Sequence, residues 1–88
     1  MTRADIDTWA DQAELELLCA DGFDDAILGI GQQFNTYFVV YDRTKVIDTL
    51  MARDGMSEEE AVEWYEVNIV GAWVGTSTPC FVMTSLEF

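Results

Sequence analysis

The sequence predicts a small α+β domain ordered α-β-β-α-α-β, in which helices cover one side of a small antiparallel sheet of about three strands. Three observations carry this expectation. Charge comes in blocks: acidic and basic residues occupy Met1 to Asp25 and Asp42 to Glu66, while Ala26 to Tyr41 and Val67 to Leu86 hold none. The uncharged blocks contain short runs rich in Ile, Val, Phe and Tyr, which suit strands. The charged blocks place apolar residues at helical spacing behind capping residues. With 88 residues, half of them hydrophobic, the chain is one domain and too apolar for a disordered acidic tail.

The first helix is expected from about Arg3 to Cys19. Thr2 caps it with Asp5 three positions on, and Ile6, Trp9, Ala10, Ala13 and Leu17 form the inner face. Asp7 and Asp11 repel at i,i+4, so packing must hold this helix. Asp21-Gly22 stops and turns the chain. Ala26 to Phe34 and Tyr37 to Tyr41 are strands joined by a tight turn at Asn35-Thr36. Gly29 and Gly31 mark a bulge or a close backbone approach.

Asp42 caps a second helix from Arg43 to Arg53, with Tyr41 and Val46 as a hydrophobic staple. Val46, Ile47, Leu50 and Met51 line its inner stripe, and Gly55 ends it. Ser57 and Glu60 make a capping box for a third helix that runs to about Gly71 or Val74. Its inner face is Ala61, Val62, Tyr65, Ile69, Ala72 and Trp73. Thr76 to Pro79 is a loop, and Cys80 to Met83 is the last strand.

Charge bounds the partners. With 17 acids against 4 bases, the net charge is −13 and there is no histidine. The two helices around Gly55 are not a DNA-reading helix-turn-helix, because the second carries only acids and phosphates would repel it. No glycine-rich phosphate loop follows Gly29-Ile30-Gly31. Cys19 and Cys80 sit in apolar or acidic surroundings that do not activate a thiol, and they read as free, buried thiols of a reducing cytosol. Catalysis has little support, and no cofactor is implied. The N-terminus has no export signal, and the uncharged tail is too rich in polar residues and glycine to span a membrane.

Two groups remain as candidate sites. Asp21, Asp24 and Asp25 are close enough in sequence to suggest a Ca²⁺ or Mg²⁺ site, although they lack the spacing of an EF-hand. With the Gly29 to Gly31 strand they define a small-ligand or divalent-metal reading. Asp42-Arg43 could orient a ligand, but Asp42 is more simply a cap. Glu58, Glu59, Glu60, Glu63 and Glu66 give the third helix a dense acidic face, and Trp64 among them resembles an interface anchor with a charged rim. This face suits a basic partner protein. A structural homodimer through the uncharged hairpin or the Cys80 to Met83 strand is the further alternative.

The run LLCADGFDDAILGI, then YDRTKVIDTLMARDGMSEEEAVEWYEVNIVGAWVG and TPCFV, resembles a group of short, functionally uncharacterised proteins of tailed bacteriophages and prophages. The resemblance covers about Leu17 to Val82. It implies a phage origin and no activity. A phage protein of this charge would act in the host cytoplasm, for example as an inhibitor that mimics nucleic acid on a basic groove. Leu86-Glu87-Phe88 lies outside the resemblance and reads as a foreign tail.

Overall fold

A computed structural model of the chain describes residues 1–71, 75 and 77–84. Its elements are α1 (Arg3–Ala13), a 3₁₀ turn (Asp24–Ala26), β1 (Ile27–Gln33), β2 (Thr36–Asp42), α2 (Arg43–Asp54), α3 (Glu58–Tyr65), a π-helical continuation of α3 (Glu66–Val70), and β3 (Cys80–Val82). The α+β class and the element order are as the sequence predicts. Ala72, Trp73, Val74, Thr76 and Leu86-Glu87-Phe88, which entered the expectations above, lie outside the described residues.

Local chemistry sets the helix starts. The Thr2 hydroxyl accepts the Asp5 N–H at 3.1 Å while Asp5 accepts the Thr2 N–H at 2.9 Å. Ser57 and Glu60 repeat this reciprocal pattern at α3. Asp42 caps α2 by accepting the N–H groups of Thr44 and Lys45, and its buried carboxylate also receives the Thr84 hydroxyl. Gly55 closes α2 at φ 67°, a left-handed conformation that costs glycine little.

α1 is shorter than expected. It ends at Ala13, and Glu14 turns left-handed at φ 57°. Asp11 and Glu14 crowd the negative end of the helix dipole with no base in the last turn, so continuation is unfavourable. Ala13 is therefore exposed, and Leu17 packs on the core from an irregular segment. That segment is fixed by the Tyr41 hydroxyl, which accepts the Ala20 N–H at 2.8 Å.

The sheet is mixed rather than wholly antiparallel. β1 and β2 form the expected antiparallel hairpin, but β3 pairs parallel to β2, with Val40 beside Cys80 and Asp42 beside Val82. The crossover through α2 and α3 returns the chain to run the same way. The tight turn is Phe34-Asn35, one residue earlier than expected, because Gln33 pairs with Thr36. Both expectations for the glycines hold. The register shifts between Ile27 and Gly29, and a Cβ on Gly31 would lie 2.5 Å from the Phe38 ring.

β2 alternates. Val39 and Tyr41 face the helices and are fully buried, while Phe38 and Val40 face the other way and are only partly covered. Ile6 of α1, Phe23, Ala26 and Ile27 at the start of the hairpin, Val46, Ile47 and Leu50 of α2, and Ala61 and Tyr65 of α3 complete the core. Phe81 joins the elements, stacked on Tyr41 at 5.4 Å and edge-on to Tyr65 at 5.5 Å. Among the described residues, no helix is long and apolar enough to cross a membrane.

Candidate partner-binding face

α3 owes its acidic face to its own start signal. Ser57 opens the helix and three glutamates fill the first turn, where unpaired N–H groups and the helix dipole favour negative charge. Ala61 and Tyr65 turn inward, which leaves Glu58, Glu59, Glu60, Glu63 and Glu66 exposed on the outside. All five predicted glutamates are thus exposed, Glu58 to Glu63 on α3 and Glu66 in its π-helical continuation. Hydrogen bonds from the Ser57 N–H and hydroxyl hold the Glu60 carboxyl below the usual range, so this member stays anionic.

Two of the three arginines are placed elsewhere. Arg3 reaches Asp7, Asp21 and Asp24, and Arg53 pairs with Asp54. Arg43 meets Glu66 at 4.0 Å and lies over the Tyr65 ring. Among the described residues, Glu58, Glu59, Glu60 and Glu63 form no ion pair. Four like charges at helical spacing repel, and together they project a negative field outward.

Trp64 stands at the edge of this face. Its side chain is 39% exposed and forms the wall between two clefts. One cleft, of about 360 Å³, combines Glu60 and Glu63 with Met56 and Val67. The other, of about 270 Å³, is mainly apolar, with Phe23, Ile69, Pro79 and Phe81 around Trp64. Trp64 therefore shares a cleft with the segment that follows α1.

Sequence reasoning missed the second cleft. Its walls come from residues 19–23, the end of α3 and the approach to β3, which only tertiary structure assembles. The π-helical turn was also unforeseen. The Gly71 N–H donates to the Glu66 carbonyl at 3.1 Å, five residues back, and Val67 and Val70 are left exposed in this turn. The uncharged run Val67 to Val70 at the end of an acidic helix was the available signal.

The other candidate residues are arranged differently. Asp24 accepts from the Arg3 guanidinium at 3.1 Å, and Asp21 lies 3.7 Å from the same nitrogen. An arginine thus occupies the position that a cation would need between them. Asp25 joins no ion pair, and no group of three potential metal ligands converges among the described residues. Cys19 and Cys80 are free, and burial pushes the Cys19 thiol up against the opposing pull of Arg3.

The chain matches no protein-family model, no curated protein and no solved structure. Any functional reading therefore rests on the geometry of this face.

Proposed function

We propose that the protein is a non-enzymatic interaction protein of phage origin that binds a basic partner through the outer face of α3. The partner is a host or phage protein with a nucleic-acid-binding groove, and binding in the host cytoplasm inhibits it by occupying that groove. The supporting observation is the row of unpaired glutamates, Glu58, Glu59 and Glu63, beside a half-exposed Trp64 between two clefts. Acids alone would serve solubility. An exposed indole at their edge supplies the desolvated anchor that a stable interface needs, with the glutamates as its polar rim. Their field would speed encounter with a basic groove and make binding fall with salt.

The test is affinity capture from host cells with the wild-type chain and with a Glu58→Lys, Glu59→Lys, Glu63→Lys variant. Glu60 is left intact because it caps the helix. The expected loss of affinity is at least about 100-fold, or roughly 2.7 kcal/mol. Double-stranded DNA should compete with the wild-type chain for the captured protein. A partner that binds the triple variant equally well at low salt defeats the proposal.

A further inference from the structure

The tip of the hairpin carries two costs at one residue. Phe34 holds φ 54°, a left-handed backbone that bulky residues avoid, and its side chain is 89% exposed. Asparagine or glycine would fill the position without either cost. Beside it, on the sheet face away from the helices, lies a cleft of about 500 Å³. Phe34 forms its rim, with Gln33, Thr36, Phe38, Thr78, Pro79 and Cys80 around it, and among the described residues no charged side chain lines it. The Phe38 ring lies against Gly31, where any Cβ would clash, so the aromatic lining is held in place before anything binds.

We propose that this patch is a self-association surface, at which Phe34 of one copy seats in the cleft of a second copy and the reverse. An exposed knob next to an apolar cleft is self-complementary, so one two-fold axis satisfies both at once. Charge selects the occupant. Each copy carries −13, yet Ala26 to Tyr41 is uncharged, so two copies meet here with the least repulsion. A basic partner would gain no ion pair from this cleft. The patch is separate from α3, so self-association does not depend on the function proposed above.

Sedimentation velocity across about 2 to 500 µM covers the range expected of a small, weak interface. The wild-type chain should move from monomer to dimer. Raising salt from about 50 to about 500 mM should strengthen the dimer, because screening removes repulsion between like-charged copies. Phe34→Asn should weaken association at least about 10-fold while melting no lower than the wild type. Thr36→Glu, which leaves Phe34 in place but sets an acid in each cleft, should do the same to association. A wild-type chain that stays monomeric throughout, a dimer weakened by salt, or variants that associate as well as the wild type would each overturn the proposal.

Discussion

The hairpin and α3 are both exposed, and they are held in opposite ways. The hairpin has no charge before Asp42 at its end and takes its shape from packing, with Val39 and Tyr41 buried on one face and Phe38 pressed on Gly31 on the other. α3 is dense in charge and takes its shape from local hydrogen bonds at Ser57 and Glu60, with only Ala61 and Tyr65 fully inside. Packing tolerates strain, as Phe34 shows, whereas a capping box needs none. The two proposed surfaces should differ in the same way: salt should weaken contacts made by α3 and strengthen contacts made by the hairpin.

The largest effect should come from cutting the junction between the two regions. Burial pushes both Tyr41 and Tyr65 up to about 12, and both rings touch Phe81. A raised folded-state value means that the fold favours the neutral phenol. Its contribution is complete below the ordinary value near 10 and is lost as pH rises through about 12. The loss should be on the order of 2 kcal/mol per tyrosine. Thermal melts at rising pH should fall in step with tyrosinate absorbance. Tyrosines that ionise while the melting temperature holds would show that burial does not raise their folded-state values.

Gly31→Val tests the hairpin alone. The added side chain must displace the Phe38 ring and Val40, which overpacks the face and should cost about 1–3 kcal/mol. Denaturant titration reads this directly, and an unchanged midpoint would mean that the hairpin is not held by packing. Ser57→Ala tests α3 alone and should be milder, at about 1 kcal/mol, because one cap is lost and the helix core is untouched. A larger loss than for Gly31→Val would reverse the contrast drawn here.

The sequence made legible what neighbours within four residues decide. Thr2, Asp42, Ser57 and Gly55 bound helices as expected, and the glutamates of α3 are exposed because helical period turns Ala61 and Tyr65 inward. What depended on distant residues was not legible. Asn35 has the better intrinsic tolerance for a left-handed turn, yet Phe34 takes it, because the pairing of Ile30 with Val39 and Gly31 with Phe38 fixes the register. The direction of β3 follows from a crossover of two helices, which a three-residue strand cannot announce. Nor does spacing reveal that Arg3 closes on Asp24, 21 residues away.

The parallel pairing of β3 also orders events in time. Val40 meets Cys80 across 40 positions, whereas the hairpin and all three capped helices close over short spans. Closing a long loop is entropically the costliest step, and few local contacts repay it early. Pro79 and Phe81, which wall the cleft beside Trp64, arrive only with that step. A nascent chain that has emerged as far as α3 can already display its glutamates, but it has no seat for an apolar anchor until the last strand docks.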